Sequence, residues 1–149
     1  MTARAKSTTV GGATPTRERT AVLVLGMHRS GTSALTRLLS LLGLDLPATI
    51  VDPLAAKPND GNRESGFWES DVLRRLHDEV LAEAGIGWDT PRVLPETWYV
   101  SPAGRQAGAR IRDAVTAEYG AAELFVVKDP RMCRLVPPWD RFVPSRLRI

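Results

Sequence analysis

Five uncharged aliphatic residues in a row, Ala21, Val22, Leu23, Val24 and Leu25, open the patterned part of the chain. A run with no polar face marks a strand buried on both sides in a parallel sheet. A glycine-bounded stretch, 26–31, follows as a turn. Residues 32–42 then switch to a helical period, with Leu35, Leu38, Leu39 and Leu42 on one stripe and Gly43 as the stop. Pro47, Pro53, Pro58, Gly61 and Gly66 make 45–67 a loop. A second amphipathic helix is expected over 69–84, with Val72, Leu73, Leu76, Val80 and Ala84 on its apolar side and Gly85 ending it. Residues 86–101, with Trp88, Pro91, Pro95 and Trp98, read as a packed loop. Ser101-Pro102 is a cap and first-turn signal for a third helix running to about Tyr119 and stopping at Gly120. Leu124, Phe125, Val126 and Val127 form a second buried strand. The last stretch, 135–149, carries Pro137, Pro138 and Pro144, is assigned no element, and ends at the approach to a third strand.

Strand, glycine turn, helix and then a further buried strand give an α/β class: a P-loop NTPase-like parallel sheet with flanking helices, incomplete towards its carboxyl end. The chain has 149 residues, 43% apolar and 25% charged, which suits one folded domain over 21–149 and excludes a wholly disordered chain. The net charge of +3 changes little. The first 20 residues hold Arg4, Lys6, Arg17 and Arg19 against Glu18, so the excess lies in a basic tail expected to be disordered, with a faint likeness to a transit peptide, and the body is neutral. No nucleic-acid partner follows from that charge, and no apolar run approaches a membrane span. The single cysteine, Cys133, is expected to be a small buried residue, and one thiol forms neither an internal disulfide nor a zinc cluster, so a cytoplasmic location is expected.

The turn carries chemistry. Gly26-Met27-His28-Arg29-Ser30-Gly31-Thr32-Ser33 has Walker-type spacing between a buried strand and a helix. Glycines let successive N–H groups point into one concavity, and the helix start adds positive potential. Arg29 adds a charged fork, and Ser30, Thr32 and Ser33 add hydroxyl donors, so the loop is expected to hold phosphate or sulfate. Thr32 stands where a nucleoside triphosphatase needs lysine, and Asp129 lies one place beyond a simple strand-end metal site. The loop also lacks the cysteine nucleophile of a phosphatase loop.

The segment 22–33 with its leucine-rich helix resembles the 5'-phosphosulfate loop of the sulfotransferase family, in the branch with an Arg-Ser-Gly-Thr core. Lys128-Asp129-Pro130-Arg131 after a buried strand is similar to that family's second signature, and Gly66-Phe67-Trp68-Glu69 to a Gly-aromatic-Phe-Glu segment of bacterial members. The three stand in family order over 21–140. The resemblance implies transfer of a sulfuryl group from 3'-phosphoadenosine 5'-phosphosulfate to an acceptor hydroxyl or amine, with no metal. It implies that Arg29, Ser30, Gly31, Thr32 and Ser33 hold the 5'-phosphosulfate, that Lys128 contacts the sulfuryl group and leaving oxygen, and that Arg131 adds to the donor contacts. His28 is counted with the loop or packs locally.

The acceptor must lose a proton, and Glu69 is the first candidate base. On a helix starting there it shares a face with Val72, Leu73 and Leu76, and a carboxylate beside an apolar stripe is partly desolvated. It serves equally as a favourable acid at a helix start. Glu64, Asp60 and His77 are reserves. Trp68, Trp88, Trp98 and Trp139 read as packing residues, any of which could line an acceptor pocket. The Arg and Ser that clamp the donor's 3'-phosphate in that family are not identifiable, so weak donor affinity and self-association through an exposed sheet edge are expected of this chain. Alternatives are a P-loop kinase or NTPase, and a truncated module that binds without turnover. Nothing in the loops identifies the acceptor.

Overall fold

The computed structural model describes residues 19–51, 66–87 and 89–149. Among them three strands, β1 (Thr20–Val24), β2 (Leu124–Lys128) and β3 (Arg146–Arg148), form a parallel sheet in the order β2-β1-β3. The helices are α1 (Thr32–Leu41), α2 (Asp71–Glu83), α3 (Glu96–Val100), α4 (Pro102–Tyr119) and α5 (Met132–Phe142). This is the α/β class expected. β1 lies at the centre, paired in register with β2 from Thr20 opposite Leu124 to Val24 opposite Lys128. On its other side Thr20, Ala21 and Val22 face Arg146, Leu147 and Arg148. Ala21, Leu23, Phe125, Val126 and Val127 are buried, as uncharged runs in the middle of a parallel sheet must be. The third strand, which the sequence only approaches, is therefore formed.

One helix start follows its sequence signal, at Ser101-Pro102, and the other falls two residues later than expected, at Asp71 behind Ser70. Ser70 Oγ accepts from Leu73 N at 3.0 Å and caps α2, and Ser101 Oγ accepts from Gly104 N at 3.0 Å with Pro102 in the first turn of α4. Leu73, Leu76, Val80 and Leu81 of α2 meet Ala107, Ile111 and Val115 of α4 in the core. Tyr119, at the end of α4, donates its hydroxyl to Val126 O at 2.9 Å, and burial, then the neighbouring Glu118, push its pKa up. Val72, placed on the apolar side by its spacing, stands at the edge and is exposed.

Four expectations change. Arg19 and Thr20 belong to the fold, not to a tail: Thr20 N donates to Glu123 O at 2.7 Å, and the Arg19 guanidinium donates to Ala122 O at 2.9 Å while lying 4.9 Å from the Phe125 ring centre. The rest of the tail, 1–18, lies outside the described residues. The proline-rich stretch forms α5, because Met132, Leu135, Pro138 and Trp139 fall on one buried face. That packing outweighs the two amide donors that Pro137 and Pro138 remove. Residues 96–100 form the short α3 within the expected loop. The sheet edge expected to be exposed is partly covered on the β2 side, where Asp45 N donates to Leu124 O and Val126 N donates to Asp45 O, both at 3.0 Å, while β3 forms the other edge.

The largest departure is in α1. Its sheet-facing residues are Thr32 and Thr36, while Leu35, Leu38, Leu41 and Leu42 are 47%, 53%, 66% and 71% exposed. Thr36 can face inward because its hydroxyl donates to Thr32 O at 2.8 Å and leaves no unpaired donor. Leu35, Leu38 and Leu42 of the expected stripe therefore face away from the sheet, and Leu39 is half-buried. Leu41→Lys is therefore expected to change stability by less than about 0.5 kcal/mol. Leu135→Ala, at a fully buried site, is expected to cost about 2–5 kcal/mol, both read by urea denaturation.

Candidate functional site

The 26–31 turn leaves the carboxyl end of β1 and enters α1 through Gly31, whose φ of 83° only glycine adopts without strain. Arg29 also has a positive φ, 66°. A Cβ on Gly26 would lie 2.7 Å from Thr32 Cγ2 and 2.8 Å from Ser30 Oγ, so the turn closes on itself only because that residue has no side chain. Ser30 Oγ donates to Met27 O at 2.6 Å and braces the loop. No side chain caps α1, and its first turn holds no acidic residue. The N–H groups at its start thus face outward with the positive end of the helix dipole behind them, an arrangement that favours an anion. Gly31, Arg29 and His28 are exposed and Thr32 is buried.

One carbonyl ties this turn to the other two motifs. Phe67 O accepts from Ser33 Oγ at 3.2 Å and from Lys128 Nζ at 3.4 Å. Lys128 Nζ also donates to Glu69 Oε1, and both side chains are buried. Glu69 is held from behind: Val51 N donates to its carbonyl at 2.9 Å, and Ile50 bridges Ser70 in antiparallel fashion. Glu69 therefore precedes the cap of α2, not its first turn as the helical spacing implied, and it meets an ammonium instead of an apolar stripe. Trp68 sits in the left-handed region at φ 56°, with the Arg37 guanidinium 4.7 Å from its ring centre. An aromatic residue held there stores about 1–3 kcal/mol of strain, the kind of cost that collects at functional sites.

Beneath Lys128 runs a buried polar chain. Trp139 Nε1 donates to His77 Nε2 at 3.0 Å, which leaves the ring proton on His77 Nδ1, 2.8 Å from Asp129 Oδ2. Asp129 Oδ1 accepts from the Arg131 backbone N at 2.9 Å and from Arg131 NH1 at 3.0 Å. Arg131 then forks onto Asp78 at 2.5 and 3.0 Å. Burial alone would raise the Asp129 pKa, but the His77 hydrogen bond, then the Arg131 charge and amide, outweigh it and bring it down to about 2.

A cleft of about 270 Å3 opens between these parts, lined by His28, Val51, Phe67, Glu69, Arg74 and Arg131. It gathers residues from all three motifs. Ser30 and Ser33, expected to donate to an anion, donate instead to protein carbonyls. Arg131 lines the cleft with its guanidinium already engaged by two carboxylates. His77 is fully buried with both ring nitrogens engaged, which removes it as a base. Asp60 and Glu64 lie outside the described residues, as does Trp88. Cys133 is exposed, not buried, because it falls on the outer face of α5.

The sequence reading missed Asp78 and Arg74, whose four-residue spacing on α2 was visible, and Glu118, which carried no signal. Glu118 Oε2, buried, accepts from Thr49 N, Thr49 Oγ1 and Ser70 Oγ at 3.2, 2.8 and 2.7 Å and so fixes the residue beside Glu69. No helix among the described residues is long and apolar enough to cross a membrane. Comparison of the chain with protein-family models, curated proteins and solved structures returns no match.

The folded-state pKa of Asp129 lies below its unfolded value of 3.8, so its contribution to stability is present above that pH and is lost as pH falls towards 2. The contribution is about 2 kcal/mol. Asp129→Asn is expected to lower stability at pH 7 and to flatten the loss between pH 4 and 2, measured by denaturant unfolding across pH.

Proposed function

We propose that this chain carries the donor-binding and transfer centre of a sulfotransferase with a P-loop type of fold, acting on 3'-phosphoadenosine 5'-phosphosulfate and a hydroxyl or amine acceptor. The observation that carries the reading is the Phe67 carbonyl shared by Ser33 and Lys128, with Glu69 on the same ammonium. Three segments far apart in sequence, each resembling a part of that family's donor site, meet at the carboxyl ends of two parallel strands, where such sheets bind ligands. The uncapped start of α1 and the tight Gly26–Gly31 turn fit an anion of phosphosulfate type.

The donor supplies a sulfuryl group: its bond to the 5'-phosphate oxygen breaks as the acceptor atom bonds sulfur, and the electron pair leaves on that oxygen. The chain's residues do the rest. The N–H groups at the start of α1, with Arg29, hold the phosphate end and offset the charge that grows there. Lys128 offers its ammonium to the sulfuryl oxygens and the leaving oxygen. Glu69 takes the acceptor's proton. Ser30 and Ser33 brace the loop, and Arg131, clamped by Asp78 and Asp129, shapes the wall. A magnesium-dependent NTPase fits less well, since Thr32 replaces the needed lysine and the carboxylate of Asp129 is taken up by His77 and Arg131. With a free thiol and no disulfide partner, a cytoplasmic setting suits this reading.

Calorimetric titration with adenosine 3',5'-bisphosphate tests the donor site. Arg29→Ala is expected to weaken binding by about tenfold or more. Glu69→Gln is expected to leave binding within about twofold and to slow transfer of labelled sulfate to hydroxyl and amine acceptors by roughly 10²–10⁴. Absence of bisphosphate binding, or preference for magnesium–ATP, overturns the proposal.

A further inference from the structure

The cleft that holds Glu69 is also lined by Arg74 and Arg131, and these two guanidinium groups are used very differently. Arg131 donates from Nε and NH2 to the two oxygens of Asp78, at 2.5 and 3.0 Å, and from NH1 to Asp129 at 3.0 Å. Arg74 makes one such bond, from NH2 to Asp71 Oδ1 at 2.8 Å. Its NH1 stands 3.8 Å from Asp78 Oδ2, beyond hydrogen-bond length. Its Nε is buried and has no hydrogen-bond partner among the described residues. A guanidinium presents five donors in a fixed fork, so most of the Arg74 fork is unused. The carboxylates nearby do not make up the difference. Asp78 gives both oxygens to Arg131, Asp71 gives its second oxygen to Arg75, Asp129 is shared by Arg131 and His77, and Glu69 accepts from Lys128. The Arg74 side chain is 32% exposed, so a molecule in the cleft reaches it.

We infer that Arg74 anchors the acceptor, and that the acceptor is a small molecule carrying an oxyanion, carboxylate or phosphate, on the same frame as the hydroxyl or amine that reacts. The inference rests on the transfer reading above, in which Glu69 takes the acceptor's proton. Glu69 and Arg74 line one cleft and stand on either side of Ser70, the cap of α2. The cleft's 270 Å3 lies near the lower end of the roughly 300–1,000 Å3 of small-molecule sites, so the frame is compact. Val51 and Phe67, both half-buried in the wall, give that frame apolar contact. An uncharged acceptor fills the same space and leaves the Arg74 fork largely unused. An oxyanion accepts from it through charge-assisted bonds in the forked geometry that arginine favours. The donor is the other source of oxyanions. Its phosphate is assigned above to Arg29 and the start of α1, so an Arg74 that serves the acceptor leaves donor affinity unchanged.

Two probes of nearly equal size, 4-hydroxyphenylacetate and 4-hydroxyphenylacetamide, differ in that charge. Titrated at neutral pH against the full chain in excess adenosine 3',5'-bisphosphate, and followed by NMR, the carboxylate is expected to bind about tenfold or more tighter than the amide. Arg74→Gln is expected to bring the two within about twofold, since it removes the charge and the fork together. Arg74→Lys keeps the charge without the fork and is expected to cut the preference by about threefold. Bisphosphate affinity is expected to stay as it is in both variants, which also reports that they fold. With labelled donor, the ratio of the KM values of the two acceptors is expected to follow the same order. Equal binding of the two probes by the native chain, or a preference that survives both substitutions, overturns the inference. Loss of bisphosphate affinity in Arg74→Lys places Arg74 on the donor and overturns it as well. A carboxylate preference that depends on Arg74, in a chain that binds no bisphosphate, upholds the oxyanion site and overturns the transfer reading alone.

Discussion

The in-register parallel pairing of β1 with β2 sets the level at which everything else happens. With Val24 opposite Lys128, the two strands end together, and the turns that leave them start side by side. A slip of one residue would send Lys128 to the other face of the sheet and separate it from Glu69. The register is held from outside the ladder as well. Tyr119 binds the Val126 carbonyl, Asp45 bridges both sides of Phe125, and Arg19 covers the ring of Phe125. The start of the sheet is pinned so that its end is aligned.

The aligned ends hold an unusual load of buried charge. Glu69, Lys128, Asp129 and Arg131 are all buried, and moving such ions from water costs several kcal/mol each before pairing. Pairing offsets that cost, for Asp129 more than fully, and it also fixes geometry. Each of the four has a fixed partner: Glu69 and Lys128 hold each other, Asp129 meets His77 and Arg131 meets Asp78 on α2, and His77 is held in turn by Trp139 on α5. Glu118 extends the same logic to α4, where one carboxylate gathers Thr49 and Ser70 and thereby fixes the backbone next to Glu69. The residues around the Lys128–Glu69 pair are thus braced from α2, α4 and α5 at once: Asp129 and Arg131, just after Lys128 in the chain, from α2 and α5, and Ser70, just after Glu69, from α4.

Elements whose pattern agrees with their burial were legible in the sequence. Both long strands and α4 have limits set by local chemistry, in uncharged runs and the Ser101 cap, and α2 was legible by its apolar period though its start lies behind Ser70 and not at Glu69. One element, α5, and the facing of another, α1, were not legible because local rules and tertiary packing disagree. α5 contains two prolines that argue against a helix, yet its Leu135 and Trp139 are wholly buried and hold it. In α1 the leucines mark an apolar face correctly but not what it meets. Periodicity assigns a stripe, and the direction of that stripe depends on which side chains can lie closest to the sheet. Thr36, satisfied by its own helix, takes that place.

The site divides in the same way. Residue types and their order singled out the turn, Lys128 and Glu69 as candidates, because those features are local. Partners are topological: Glu69 and Lys128 are 59 positions apart, and Ser33 and Phe67 are 34. No spacing rule links them, so the carbonyl partners of Ser30 and Ser33 could not be read from the sequence. Under the proposed function, those contacts bear on where the turn's affinity for an anion would come from. With the hydroxyls of Ser30 and Ser33 turned to carbonyls, the positive potential of the turn comes from backbone N–H groups at the uncapped start of α1 and from Arg29. Backbone donors cannot be altered by exchanging a side chain, and their aim depends on the left-handed Gly31 and the bare Gly26. The glycines, more than the hydroxyls, are therefore what the turn's chemistry requires of the sequence.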